Sequence, residues 1–237
     1  GQANVSVSAG NTGALMAISK LILRMSADLD RPALVASIPH AKGVTTFLDV
    51  GANVDCDAER LVEFAIMGEA YHRAAHGVAK PTVGLLNVGS EEMKGHEEVR
   101  EANRILREGA IDLAYKGFVE GDDITHGAVD VVVTDGFTGN VALKSLEGAL
   151  KTVVKSLFAA IGKPEYKVHA DALMPAFLDL YSQFDPDSTG GAMLLGLNGV
   201  CIISHGSSSA RAMVNGIKVA RDMVQGDIVE KIRAAVA

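Results

Sequence analysis

Short apolar runs alternate along this chain with longer stretches in which apolar residues return at every third or fourth position. Runs at residues 4–9, 32–38, 45–50, 81–88, 113–120 and 128–133 have strand length and lie between clusters of Gly, Pro, Asn or Asp. Helical spacing covers 14–25, 57–76, 96–108, a stretch beyond residue 140 to about 161, a stretch to about 224, and the C-terminal end. Thr12 is expected to cap the first of these helices and Asp57 the second. The Val-rich run 128–133 shows no alternation, so it should be buried on both faces, as in a parallel sheet. Too few residues separate 32–38 from 45–50 for a crossover, so that pair should be antiparallel. Asn198-Gly199 between 192–197 and 200–204 predicts a hairpin. The alternation of strands and helices gives an α/β class.

Residues 163–189 break this rhythm. Leu173, Phe177, Leu180, Tyr181 and Phe184 form an apolar stripe across Pro175, which predicts a projecting helical arm. Such a stripe needs a cover, and a second copy of the chain is the first expectation, ahead of the domain itself or a lipid surface. From Lys144 to Lys167 there are five lysines (144, 151, 155, 163 and 167) against Glu147 and Glu165, a local excess of three positive charges.

Composition narrows the function classes. At 237 residues the chain is long enough for a full core, as one large domain or two small ones. A net charge of −7 argues against general nucleic-acid binding. Cys56 and Cys201 have no CxxC or metal spacing, which fits a reduced, cytoplasmic chain. No apolar run reaches membrane-spanning length and no secretory leader is read. The chain begins at Gly1 in what reads as a strand, so a preceding N-terminal segment is expected.

The candidate chemistry centres on the stretch after residue 133. Asp135 ends a buried strand, at the edge where open α/β sheets bind ligands. Gly136, Thr138, Gly139 and Asn140 then form an expected tight turn before the helix. Gly136 and Gly139 would let backbone approach a ligand, and free helix N–H groups would attract an anion. Asn140 can donate, and Lys144 adds charge one turn later. The competing reading has Asp135 capping the helix and the glycines serving only the turn, and the residues leave both open. Asn11, Thr12 and Gly13 at a helix start, Asn53 on a turn, Lys94 beside Gly95, and His205 with Ser207 form further candidate contacts. His72 and His76 are four apart, but the Glu of an HExxH motif is missing, so they read as surface or packing residues and no metal site is expected. Asp122 or Asp123 should cap a helix. No G-x-G-x-x-G, P-loop or G-x-S-x-G motif occurs. Asp135, His205 and a Ser could make a triad in principle, but their spacing gives it no support.

Five motifs occur in order: Ser8-Ala9-Gly10-Asn11-Thr12-Gly13-Ala14-Leu15-Met16, Leu48-Asp49-Val50-Gly51-Ala52-Asn53-Val54-Asp55-Cys56, Leu86-Asn87-Val88-Gly89-Ser90-Glu91-Glu92-Met93-Lys94-Gly95, Asp135-Gly136-Phe137-Thr138-Gly139-Asn140-Val141 and Ser204-His205-Gly206-Ser207. Together they resemble the bacterial phosphate acyltransferases of phospholipid synthesis, the PlsX family, over nearly the whole chain. The arm is the least similar part, and the family's N-terminal Asp-Ala-Met-Gly-Gly-Asp motif is not in this sequence. The resemblance implies a three-layer α/β/α, mostly parallel sheet shared with isocitrate and isopropylmalate dehydrogenases and with phosphotransacetylase. On that basis residues 1–237 are one α/β domain lacking its N-terminal segment.

The resemblance also implies transfer of a long acyl group from acyl carrier protein to inorganic phosphate, giving acyl phosphate. It implies a homodimer, contact with the inner membrane face, and no cofactor. Phosphate is already a nucleophile and a thioester already activated, so the enzyme need only hold one against the other and stabilise the oxyanion. Lys94, Asp135, Asn140, Lys144 and His205 are the catalytic candidates. Asn11, Thr12, Gly13, Asn53, Gly136, Thr138, Gly139 and Ser207 are candidate substrate ligands. Acyl carrier protein is acidic, so its docking calls for a basic patch, expected at Lys151, Lys155 and Lys163. Two rivals are a dehydrogenase of the same fold acting on a hydroxy dicarboxylate, and a non-catalytic, membrane-associated interaction protein. The first would need an arginine cluster and paired metal-binding Asp residues, where these loops offer Asn, Gly and Ser.

Overall fold

The computed structural model describes residues 3–26, 29–184, 190–204 and 208–236. Its elements are β1 (Val5–Ser8), α1 (Thr12–Leu23), β2 (Ala33–His40), β3 (Gly43–Leu48), α2 (Ala58–His76), β4 (Thr82–Leu86), α3 (Glu97–Glu108), β5 (Ala114–Val119), α4 (Asp123–His126), β6 (Val131–Val133), α5 (Gly136–Ile161), α6 (Lys167–Phe184), β7 (Ala192–Leu195), β8 (Val200–Ile203), α7 (Ala210–Gln225) and α8 (Ile228–Val236). A 3₁₀ turn at Pro164–Tyr166 joins α5 to α6.

The strands form one sheet in the order β1-β8-β7-β2-β3-β6-β4-β5. β6 pairs in parallel with both β3 and β4, so its three valines are buried on both faces, as the unbroken apolar run predicts. β2 and β3 are antiparallel, with Val35 opposite Leu48 and His40 opposite Gly43. β7 and β8 form the expected antiparallel hairpin. Strands β3 to β7 run one way and β1, β2 and β8 the other.

Helices cover both faces. On one, α2, α3, α7 and α8 bury Leu61, Phe64, Met67, Ala102, Ala220, Ile228 and Ile232 against Val35, Leu48, Val83, Val131 and Ile202. On the other, α1 and α5 bring Leu15, Met16, Leu143 and Leu146 onto Leu34, Ile38, Phe47, Val132 and Cys201. Alternate strand residues feed the two cores: Val200 and Ile202 enter the first, Cys201 and Ile203 the second. The result is a three-layer α/β/α architecture.

Several local expectations change. Asn11, not Thr12, caps α1, because its side-chain oxygen accepts from Ala14 N at 3.0 Å while Thr12 is already the first helical residue. Asp57 caps α2 as expected, accepting from Arg60 N at 2.8 Å, and Gly77 closes it with φ +72°. Asp122 stands at the N-cap of α4 without a side-chain bond, while Asp123 accepts from Glu120 N at 2.8 Å. The expected turn at Gly136–Asn140 is instead the first turn of α5. Asp135 makes that helical start favourable by accepting from Thr138 N at 2.8 Å and Thr138 Oγ1 at 2.7 Å. The His72 side chain is buried and packs inside the domain, sharing a 2.9 Å hydrogen bond with Thr46 Oγ1.

Candidate active site

Two crevices at strand ends have the topology that binds ligands in open sheets: neighbouring parallel strands whose following helices lie on opposite faces. One lies between β3 and β6, followed by α2 and α5; the other between β1 and β8, followed by α1 and α7.

The β3/β6 crevice is filled by the chain itself. Asp49 is fully buried, and its carboxylate accepts from Leu34 N (3.0 Å), Gly51 N (3.1 Å), Ala52 N (2.9 Å), Asn53 N (2.7 Å) and Asn53 Nδ2 (2.8 Å). Burial pushes the Asp49 carboxyl upward, against the opposing pull of those hydrogen bonds. Asn53 is itself buried, and its amide also donates to Pro32 O at 2.8 Å. Gly136 N donates to Asn53 O at 2.6 Å, and a Cβ on Gly136 would meet that carbonyl at 2.5 Å. A Cβ on Gly139 would run into the Asp49 carbonyl oxygen. Both glycines therefore admit protein backbone. Gly136 N and Thr138 N are already occupied, and the Asp135 carboxylate sits where an anion would.

The β1/β8 crevice opens instead into a cavity of about 580 Å³ between α1 and α5, across the face of β2. Thr12 from α1, Asn140 and Lys144 from α5, and Ser204 and Ser208 from the chain between β8 and α7 all line it. Residues from four of the five motifs, Val50 of the second among them, thus share one space. Ser204 Oγ and Ser208 Oγ are 2.7 Å apart. Asn140 donates to Val50 O at 3.2 Å, which fixes its side chain while leaving a second N–H and a carbonyl oxygen on the amide. Lys144 pairs with Glu147 at 2.9 Å, half exposed at the rim. His40 also lines the cavity; partial burial and then Lys42 hold its imidazole below the usual range, opposed by Asp130. The remaining lining is largely apolar.

The other candidates lie elsewhere. Asn11 and Gly13 are exposed at the start of α1 and are not in the lining. Lys94 is in the loop after β4, ion-paired with Glu91 at 2.8 Å, and the loop is held by Asn87 Nδ2 donating to Gly89 O (3.1 Å) and Lys94 O (3.0 Å). Lys151, Lys155 and Lys163 are all exposed. In the arm, Leu173, Leu180 and Tyr181 are exposed, whereas Phe184 reaches back to line the cavity. His205 and Ser207 lie outside the described residues. Asp135 ends β6, four strands from β8, which runs the opposite way, so it makes no triad with Ser204 or Ser208. Burial holds both thiols protonated, with Cys56 pushed up to about 12, so neither is poised as a nucleophile. Among the described residues there is no group of three or more His, Cys, Asp or Glu placed to hold a metal ion. No helix there is long and apolar enough to cross a membrane.

Sequence reasoning passed over Ser204, Ser208 and His40 as individual ligands, and Asp49 as the centre of its loop. Ser208 stands in the Ser run that precedes α7, and Ser204 opens the last of the five motifs. Asp49 had a cue as well, a strand-ending Asp followed by Val-Gly-Ala-Asn, in which the last three N–H groups can fold back onto a carboxylate.

The family model described as "Fatty acid synthesis protein" matches residues 1–231. The chain is 69% identical to the phosphate acyltransferase of Phenylobacterium zucineum over 98% of its own length and 66% of the relative's. It is 56% identical to that of Caulobacter vibrioides over 95% of its length and 63% of the relative's. The chain thus spans just under two thirds of these two relatives. Among solved structures, the EutD phosphotransacetylase of Staphylococcus aureus superposes with a TM-score of 0.61 at 16% identity, covering 95% of this chain and 64% of that one. A branched-chain phosphotransacylase from Enterococcus faecalis gives 0.61 at 14% identity, covering 94% and 74%. These neighbours establish a phosphotransacetylase-like fold. By its family match and by its high identity to phosphate acyltransferases, the chain belongs to the fatty acid synthesis protein family, the PlsX family of phosphate acyltransferases.

Proposed function

We propose that this protein transfers a long-chain acyl group from acyl carrier protein to inorganic phosphate, supplying acyl phosphate for phospholipid synthesis. The observation that carries the reading is the cavity that Thr12, Asn140, Lys144, Ser204 and Ser208 line together beside apolar walls. It suits a small oxyanion next to a hydrocarbon. The names of the relatives point the same way.

In this reading the hydroxyls of Thr12, Ser204 and Ser208 donate to phosphate, and the Lys144 charge offsets its negative charge. A phosphate oxygen attacks the thioester carbonyl, forming the new C–O bond. Lys144 and the free N–H of Asn140 stabilise the tetrahedral oxyanion. The C–S bond then breaks, and the departing sulfur takes up the proton carried in by hydrogen phosphate. His205, which stands in the chain between Ser204 and Ser208, is assigned to that proton movement, and Ser207 to phosphate. Asp135, Asn53, Gly136, Thr138 and Gly139 hold α5, and through it Asn140 and Lys144, in place. Asn11 shapes the start of α1, where Gly13 adjoins Thr12. Lys94 is assigned to the rim at the other sheet edge. No metal or cofactor is called for.

Lys151 and Lys155 extend from Lys144 along one side of α5, and with Lys163 form the proposed docking patch for the acidic carrier. The exposed stripe of the arm is assigned to a second copy in a homodimer, with peripheral contact at the inner membrane face. The test is phosphate-dependent release of free thiol from acyl carrier protein. Lys144→Ala should lower that rate about a hundred- to a thousand-fold with near-native melting. Thiol release that ignores phosphate would refute the reading.

A further inference from the structure

We infer that the apolar part of this cavity is the seat of the acyl chain, and that Leu146 and Leu150 set the longest chain accepted. The inference rests on the acyl-transfer reading for the identity of its ligand, but the cavity can be judged independently. Its floor is one face of β2, where Leu34, Ala36 and Ile38 project at alternate positions toward His40. Six residue steps from Leu34 to His40 give a trough about 20 Å long at ~3.3 Å per residue. Its wall is the α5 stripe of Leu143, Leu146 and Leu150, one helical turn apart, and Phe184 of the arm adds a further apolar side. The volume of about 580 Å³ suits a ligand of lipid-chain size.

The occupant is an amphiphile because the lining is divided. Its polar groups are the hydroxyls of Thr12, Ser37, Thr125, Ser204 and Ser208, the Asn140 amide and the Lys144 ammonium, and the leucines continue along α5 from Lys144. Besides His40, the charged lining residues among those described are Lys144 and Glu147, an ion pair at 2.9 Å that leaves the ammonium further N–H donors for an oxyanion. A ligand with an oxyanion head and a long unbranched tail satisfies both parts. A compact polar substrate would leave the leucine wall without a partner.

Octyl-, decyl- and dodecylphosphonate, titrated calorimetrically below their micelle-forming concentrations, test this directly. Each methylene buried should tighten binding roughly fourfold until the trough is full. Leu146→Trp fills the trough, so it should keep octylphosphonate binding within about twofold and lose the gain on going to dodecyl. Leu150→Trp, farther along the stripe and half exposed, should shorten the series less and serves if the first variant melts early. In transfer assays the same variants should favour an eight-carbon thioester over a sixteen-carbon one. A wild-type affinity that does not rise with chain length overturns the inference, as does an unchanged series in both folded variants. If the wild-type protein releases no thiol yet the phosphonate series behaves as expected, the transfer reading falls and the cavity stands. If transfer proceeds and both variants keep the wild-type series, the cavity assignment alone falls.

Discussion

At β3 and β6, and again at β1 and β8, parallel neighbours send their helices to opposite faces of the sheet, yet the two crevices hold different things. In the first, Gly136 and Gly139 let α5 settle onto the backbone of Asp49 and Asn53, and the one carboxylate within is fully engaged by N–H groups. In the second, Thr12, Ser204 and Ser208 face a cavity. Glycine at the start of α5 thus makes room for the protein's own carbonyls, and only packing reveals it. The same helix serves both regions, anchored by its first turn and presenting Asn140 and Lys144 in the second and third.

The largest expected effect probes the filled crevice. Asp49→Ala removes the acceptor for five N–H groups, those of Leu34 and Asn53 buried. It should cost about 3–5 kcal/mol in urea unfolding, a large share of an ordinary domain's stability. A loss under 1 kcal/mol would mean that the crevice is not the anchor described.

Next comes pH. His72 lies under the same half of the sheet, and burial, then the neighbouring His76, lowers its pKa to about 4, against a smaller opposing pull from Asp130. The folded-state value is depressed, so the unfolded chain takes up the proton first, near 6.5. Its contribution to stability is complete above pH 6.5 and is lost as pH falls toward 4. Between pH 7.5 and 5 this amounts to about 2 kcal/mol, and the lowered pKa of His76 adds in the same direction. His72→Gln, followed by urea midpoints at both pH values, should flatten the slope without changing the KM for phosphate at pH 7.5. An unflattened slope would remove His72 from the scaffold.

The smallest effect concerns the exposed side of α5. Lys151→Glu, Lys155→Glu and Lys163→Glu combined should raise the KM for acyl carrier protein roughly fivefold, about 1 kcal/mol, chiefly at low salt, and leave the melting temperature unchanged. An unchanged KM places the carrier elsewhere.

Strand and helix order was legible because apolar runs and helical stripes differ in period, and the antiparallel β2/β3 pair followed from linker length alone. The start of α5 was misjudged because Gly136 and Gly139 carry no local sign that Asp49 and Asn53, more than eighty residues earlier, supply the surface they fit. Asn140 and Lys144 were singled out from their spacing after the strand that ends at Asp135, and both line the cavity. Ser204, Ser208 and His40 could join them only once β2 and β8 were placed in one sheet, which depends on pairing between residues far apart in the chain.

The central claim is that phosphate is bound in the β1/β8 cavity and not at the glycine-rich start of α5. Steady-state acyl transfer at varied phosphate, beside a melting curve, compares Thr12→Val with Ser208→Ala on one protein and Asp135→Ala with Thr138→Val on another. The first pair should raise the phosphate KM at least tenfold, as loss of two donors to an anion implies, with melting unchanged. The second should lower the melting temperature, since it removes the α5 cap, and leave the phosphate KM of the folded enzyme at its wild-type value. The reverse pattern, with a raised phosphate KM from the α5 pair and none from the cavity pair, would contradict the account.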